Sequence, residues 1–261
     1  MLKPEIQKIV ILGAGRLAVN LSMAIHKKGY DIVEVCNRTE SKGKRLAGKL
    51  KARYIPEPEM ITSDADLYIL AVSDTAIPLL LDRIKTRNRL IIHTSGSVKM
   101  GILRKVSENF GVIYPPQTFT DHKLLNFRMI PLCIEASSGK NLLLLKSFAD
   151  SLSEKVYMIN SDQRRILHLS AVFASNFNNF MVAISQELLL ENGMDFRILE
   201  PIIRQTAGNA SSGDVFKMQT GPAVREDRET IREHLQLLSN HPDYKKIYDL
   251  ITRNIIQRKK K

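Results

Sequence analysis

Apolar residues over the first 160 positions fall into short continuous runs divided by helical stretches, and beyond that point into helical stripes alone. Ile9 to Leu12 and Ile32 to Cys36 predict two buried strands, Arg53 to Ile55 a short third, Asp66 to Val72 a fourth and Leu90 to His93 a fifth. Further short strands are predicted at Val112 to Tyr114, Met129 to Glu135 and Val156 to Ile159. Between the first two, Val19, Leu21, Met23 and Ile25 recur at near-helical spacing up to a stop at Gly29; Ser41 to Leu50, Ala76 to Ile84 and Asn141 to Ser151 also read as helices. Strands alternating with helices predict an α/β domain with a mostly parallel, doubly wound sheet.

From Ser161 onward the strand signals vanish. Asp162 to about Gly193 reads as one long helix, with Ser161 or Asp162 as N-cap and Gly193 as stop. Helices follow at Phe196 to about Ser212, Asp227 to Leu238 and Asp243 to Gln257, with Thr220-Gly221-Pro222 as a loop. Two domains result, 1–160 α/β and 161–261 all-α, with no repeat or low-complexity linker between them.

The first strand runs straight into Gly13, Gly15 and Ala18, the spacing G-x-G-x-x-G/A. With a strand before it and a helix after it, this is the turn that brings a dinucleotide pyrophosphate onto a helix N-terminus, and it marks a Rossmann domain. Gly13 permits the tight turn, Gly15 admits the phosphates, and Ala18 lets the helix pack closely; Arg16 and Leu17 lie between them. Ligands of such sheets bind beyond the strands' carboxyl ends, so this turn should share a crevice with Val72, Ser73 and Asp74 and with Thr94, Ser95, Gly96 and Ser97.

The end of the second strand bears on which dinucleotide is bound. A carboxylate there binds the ribose of NAD, whereas a nearby arginine accommodates the 2′-phosphate of NADP. This chain has Asn37, Arg38 and Thr39, followed by Lys42, Lys44 and Arg45. A guanidinium suited to phosphate stands where a repelling carboxylate is missing, so NADP (NADPH) is the expected cofactor. Two other readings exist: the basic run is simply a solvated helix face, or Glu34, mid-strand and three residues earlier, binds the ribose.

Composition narrows the class. A chain of 261 residues, 44% apolar and 25% charged, is that of a soluble globular protein. No run reaches the roughly 20 apolar residues of a membrane span, and the N-terminus enters the first strand too soon for a signal peptide. The two cysteines, Cys36 and Cys133, fall in predicted strands and make neither a disulfide framework nor a metal set. A cytoplasmic protein with no metal and no membrane partner is expected. The net charge of +12 and pI near 9.7 suggest nucleic acid. Much of that charge is scattered or lies in the tail Arg258-Lys259-Lys260-Lys261, read as frayed, and no nucleic-acid motif accompanies it; specific nucleic-acid binding is not expected.

On the long helix, His168, Val172 and Asn176 are spaced i, i+4 and i+8, nearly on one face. That face offers a titratable group and an amide to a substrate carbonyl or imine; a helix histidine with no such role is the competing reading.

Taken in order, Gly13-Ala-Gly-Arg-Leu-Ala18, His93-Thr-Ser-Gly96, Pro115-Pro-Gln-Thr-Phe119, His168 with Asn176, Asn209, and Thr220-Gly-Pro-Ala-Val-Arg225 with Asp227 and His234 resemble a known family. It is the family of Rossmann-like oxidoreductases that carry a C-terminal domain of unknown function. It is related to pyrroline-carboxylate reductases, hydroxyisobutyrate dehydrogenases and coenzyme F420-dependent NADP oxidoreductases. Similar members often have His-Pro where this chain has Tyr114-Pro115, and Arg-Gly-Asp where it has Arg225-Glu226-Asp227. The catalytic lysine of the hydroxyisobutyrate dehydrogenases corresponds to Val172, which leaves His168 as the proton donor.

The resemblance implies an NADP-dependent oxidoreductase that transfers a hydride between nicotinamide and a small carbonyl, hydroxyl or imine substrate. His168 would be general acid in reduction or base in oxidation, with Asn176 and Ser95 positioning the substrate and backbone near Gly96 assisting. Gln117 and Arg225 are the further candidate substrate contacts; Arg225 would hold a substrate carboxylate, or else pair with Asp227. The alternative is a non-catalytic NADP-binding sensor or structural protein, with Tyr114 and Val172 as signs of lost catalysis. A homodimer is expected, with the apolar stripe from Ile166 to Leu190 as interface, although the same stripe would equally serve an intradomain core.

Overall fold

The computed structural model describes residues 6–86, 88–120, 124–210 and 213–259. An eight-stranded sheet dominates the first part of the chain. In chain order its elements are β1 (Lys8–Leu12), α1 (Arg16–Lys27), β2 (Asp31–Cys36), α2 (Glu40–Leu50), β3 (Arg53–Ile55), β4 (Leu67–Leu70), α3 (Ala76–Leu81), β5 (Leu90–His93), β6 (Phe110–Tyr114), β7 (Leu132–Ala136), α4 (Gly139–Leu152) and β8 (Val156–Met158). The spatial order is β3-β2-β1-β4-β5-β6-β7-β8. All neighbours are parallel except β6 and β7, which run antiparallel. The doubly wound expectation holds, with a reversed edge that the apolar runs did not reveal.

The strands read as unbroken apolar runs because both sheet faces are covered. On one face Ile9, Ile11, Ile69 and Ile92 pack with Leu21 and Ile25 of α1 and Leu145 and Phe148 of α4. On the other, Val10, Leu12, Tyr68 and Leu70 pack with Ile77 and Leu81 of α3 and with Leu103. Cys36 and Cys133 are buried free thiols in β2 and β7. Burial, helped by the carboxylate of Glu57, pushes the Cys36 thiol up to about 11, so it remains an inert core group.

Packing divides the chain into two compact units, one ending at Asn176 and the other beginning at Phe177. The last strand ends near the expected boundary at 160, but the sheet unit also takes in α5 (Ser161–Ala171). The cap of α5 is Asn160 rather than Ser161 or Asp162: its side chain accepts from the Gln163 N–H at 2.9 Å, and Gln163 reciprocates at the Asn160 N–H. Ser161 serves elsewhere. Its hydroxyl donates to Glu135 on β7 and accepts from the Met100 N–H at 3.2 Å. The fully buried Arg164 also pairs with Glu135 and donates to Val98 O at 2.6 Å. This pair fastens α5 to the sheet and to the loop after β5.

The long helix expected over 162–193 is not uniform. A π-helical segment, Val172–Phe177, separates α5 from α6 (Asn178–Glu191), so the spacing of His168 to Asn176 is not that of eight α-helical steps. In the second unit a 3₁₀ turn at Phe196–Leu199 leads into α7 (Glu200–Ala210), followed by α8 (Pro222–Arg225), α9 (Arg228–Leu237) and α10 (Pro242–Lys259). Ser212, the expected end of the α7 region, lies outside the described residues. Pro222, expected in a loop, opens α8. The tail expected to fray is helical through Lys259: Arg258 lies 3.5 Å from the Phe216 ring centre, and Lys259 donates to Val224 O. Lys260 and Lys261 lie outside the described residues. None of the described helices is long and apolar enough to cross a membrane.

Removing one partner of a buried ion pair leaves the other charge desolvated and typically costs about 3–5 kcal/mol. Glu135→Ala is therefore expected to lower the unfolding free energy by about 3 kcal/mol or more in a urea titration. A loss under about 1 kcal/mol would show that the pair does not hold α5.

Candidate active site

The chain leaves β1 toward β2 on one side and later returns to β4 on the other, so the ends of β1 and β4 form the switch point of the sheet. Gly13 turns there with φ +117°, and its N–H donates to Cys36 O at 2.8 Å. A Cβ at Gly13 would lie 2.2 Å from Ala71 O, so backbone meets backbone at this point and only glycine fits. Gly15 is different. It is exposed and is the N-cap of the twelve-residue α1, no side chain caps the helix, and an added Cβ would meet nothing within 4 Å. No acidic residue stands in the first turn, Arg16 is exposed, Leu17 is half-buried and Ala18 is packed beneath. Donors at an open positive helix end, with glycine where a side chain would obstruct, fit a dinucleotide pyrophosphate.

At the end of β2, Asn37 shapes its own turn, donating to Thr39 O at 2.8 Å and accepting from the Tyr54 hydroxyl at 3.1 Å through its carbonyl. Arg38 and Thr39 are exposed, and Arg38 makes no ion pair among the described residues. Glu34 is 2% exposed, paired with Arg53 and accepting from the Thr62 N–H at 2.7 Å. Its carboxylate is committed inside the protein. Arg38 is thus the charged group offered at the ribose end.

Next along the same edge, Val72 is half-buried beside Gly13, and Ser73 is exposed. Thr94 is tied to β4 through its N–H to Leu70 O at 3.2 Å. Ser95, expected to position substrate, is buried, and its oxygen accepts from the Ser97 and Val98 N–H groups at 3.1 and 2.9 Å. It therefore builds the turn, and only its O–H is left to donate. Gly96 is where the helix comes closest: a Cβ there would lie 2.7 Å from both Cγ and Nδ1 of His168.

His168 is half-buried, with Nδ1 3.1 Å from the Tyr114 hydroxyl. Burial, with Cys133 nearby, pushes the Tyr114 phenol up to about 12, so it keeps its proton at neutral pH. The sequence marked Tyr114 only as a departure from its relatives, and nothing in the linear pattern joined positions 114 and 168. His93 is fully buried, and its Nδ1 accepts the Ser95 N–H at 3.2 Å. Burial first, and the Arg164 charge second, push it down to about 4.

Each of the remaining candidates has its own surroundings. Asn176 is exposed within the π-helical segment. Gln117 is exposed and accepts from the Thr118 N–H at 2.8 Å. Arg225 ends α8 in the second unit, exposed and without an ion pair among the described residues. Asp227, its expected alternative partner, instead caps α9 through Thr230.

With this geometry in view, residues 8–96 match the family described as NADP oxidoreductase, coenzyme F420-dependent, and residues 130–255 match a domain of unknown function (DUF2520). A crystal structure from Bacteroides fragilis, provisionally named an NADP oxidoreductase, is 37% identical over 96% of this chain and 98% of its own, with a TM-score of 0.89. An imine reductase from Myxococcus stipitatus in complex with NADP+ shares the fold at 16% identity over 96% of this chain and 93% of its own, with a TM-score of 0.68. A glutamyl-tRNA reductase of Picosynechococcus sp. is 33% identical over 115 residues, 41% of this chain; the chain spans about a quarter of the length of that curated relative.

Because the folded protein holds His93 neutral, protonation from its ordinary value of 6.5 down to about 4 favours the unfolded chain. The stability it contributes is present above pH 6.5 and is lost as pH falls toward 4, by about 3 kcal/mol at most. In His93→Asn, whose side-chain oxygen can still accept the Ser95 N–H, the urea-measured fall between pH 7 and 4.5 should be about 2–3 kcal/mol smaller than in the wild type. Equal slopes in the two proteins would refute the assignment.

Proposed function

This chain belongs to the family that joins an NADP oxidoreductase domain of the coenzyme F420-dependent kind to a C-terminal domain of unknown function, and from that premise we propose that it is an NADPH-dependent reductase of a small carbonyl or imine. The observation that carries this reading is that an open helix N-terminus follows β1, Arg38, without an ion pair among the described residues, follows β2, and the half-buried His168 of α5 packs on Gly96 in the loop after β5. The turn from Gly13 to Ala18 would hold the pyrophosphate, and Arg38 the 2′-phosphate. NADPH, when bound, supplies the hydride. His168 faces the reacting group as hydrogen-bond donor, oriented by Tyr114 and clamped by Gly96. The imine reductase named above acts on imines and shares this fold, which supports imines as one substrate class.

The expected outcome is that NADPH binds more tightly than NADH and that Arg38→Ala removes the preference. Loss of a charge-assisted contact corresponds to about 10- to 100-fold in affinity. A panel of 2-keto acids, semialdehydes and cyclic imines, followed by loss of nicotinamide fluorescence, tests turnover; His168→Ala should slow it about 100- to 10,000-fold. Unchanged turnover in His168→Ala would remove its role, and NADPH binding without oxidation across the panel would favour a sensor.

The same reading includes a homodimer. Helix α6 buries none of its residues although it carries Phe180, Met181, Ile184 and Leu190, and Ile198 and Ile202 after it are exposed. Apolar surface at this density calls for a partner, and symmetric pairing of identical chains is the commonest solution. Light scattering at micromolar concentration should give twice the chain mass; a monomer would refute the dimer.

A further inference from the structure

The ring of His168 is held along one edge and left open along the other. Gly96 approaches its Cβ, Cγ and Nδ1 so closely that no side chain could stand between them. Tyr114, at the end of β6 and 7% exposed, places its hydroxyl 3.1 Å from Nδ1, with the two rings edge-on at 80°. Nε2 makes no hydrogen bond among the described residues. A neutral imidazole has one N–H, and the bond made by one nitrogen decides which nitrogen carries the proton.

The direction of the bond follows from the phenol. Like any phenol it keeps its proton at neutral pH, and burial pushes its titration further up, to about 12. Nδ1 of His168 is the hydroxyl's hydrogen-bond partner among the described residues. If Nδ1 held the proton instead, the largely buried phenol O–H would lose its acceptor, and an unsatisfied buried donor is disfavoured. The charged and titratable groups around the pair do not offer another acceptor. Asp74 accepts from Ser97, Arg164 is paired with Glu135, Cys133 is a buried thiol, and His93 is neutral above about pH 4.

We propose that Tyr114 is a positioning residue that holds neutral His168 as its Nε2–H tautomer, so that the open edge of the ring is a hydrogen-bond donor to the oxygen or nitrogen of the substrate. This rests on the reading of His168 as the residue that meets the substrate. A histidine free to exchange tautomers would present a bare Nε2 for part of the time, and a bare nitrogen repels a carbonyl oxygen or imine nitrogen instead of polarising it.

The test reads nitrogen resonances of the full chain labelled with ¹⁵N-histidine, without cofactor or substrate, with the His168 signal assigned by its loss in His168→Gln. In the wild type, Nδ1 should appear as an unprotonated, hydrogen-bonded nitrogen and Nε2 as protonated. In Tyr114→Phe, Nδ1 should move toward the position of a freely exchanging imidazole while the other histidine signals stay in place. A protonated Nδ1 in the wild type, or an unmoved Nδ1 in Tyr114→Phe, would overturn the proposal. Tyr114→Phe should also lower kcat about tenfold with the KM for NADPH unchanged; an unchanged kcat would overturn it as well. Because the resonances are read on the free chain, absence of any NADPH oxidation would refute the reductase reading while the tautomer result still decides the role of Tyr114.

Discussion

The buried pair between Arg164 and Glu135 is the constraint on which the site depends. Arg164 is one helical turn before His168, and its guanidinium reaches both a strand carboxylate and the carbonyl of Val98 in the loop after β5. That loop contains Ser95 and Gly96. One side chain therefore fixes the helix to the sheet and to the turn against which His168 rests. Such pairs contribute little net stability, because desolvating the two charges offsets most of their attraction. What they provide here is register: in this placement of α5 the two Nη atoms meet Glu135, Val98 and Ser161, while Nε is buried without a partner among the described residues, and a shifted helix would leave the whole guanidinium desolvated and unpartnered.

The nucleotide end of the site follows a different logic. Gly13 is demanded by backbone contact and a positive φ, so its role belongs to the fold. Gly15, the N-cap of α1, faces open space, so nothing in the fold excludes a side chain there, and it leaves the helix end clear. Electrostatics agrees with sterics. Glu34, the nearby carboxylate that could have repelled a phosphate, is turned inward and neutralised by Arg53, while Arg38 remains outside.

Around His168, burial shifts Tyr114 on β6 and, at the end of β5, His93. It raises Tyr114, which keeps its phenol proton, and it lowers His93 so that no positive charge forms at the end of β5 near neutrality. Of the residues expected to touch substrate, Ser95 is drawn into its own turn by two backbone donors and Gly96 packs against His168, while Tyr114, absent from that expectation, is the hydrogen-bond partner of His168.

By itself the sequence determined whatever depends on neighbours along the chain. Apolar runs gave the strands, helical spacing gave α1, α2 and α4, and Gly13, Gly15 and Ala18 marked the strand-turn-helix at the switch point of the sheet, because such a motif is local. It missed the Asn160 cap, the π-helical segment and the antiparallel turn of β7, since apolar periodicity records burial and not the direction or pitch of the backbone. Tertiary structure alone decided what surrounds His168. Gly96, Tyr114 and the Arg164–Glu135 pair are separated in sequence by tens of residues and converge only when β5, β6, β7 and α5 are packed together. Hydrogen-bond partners and burial, which set the proton on His168, exist only after that convergence.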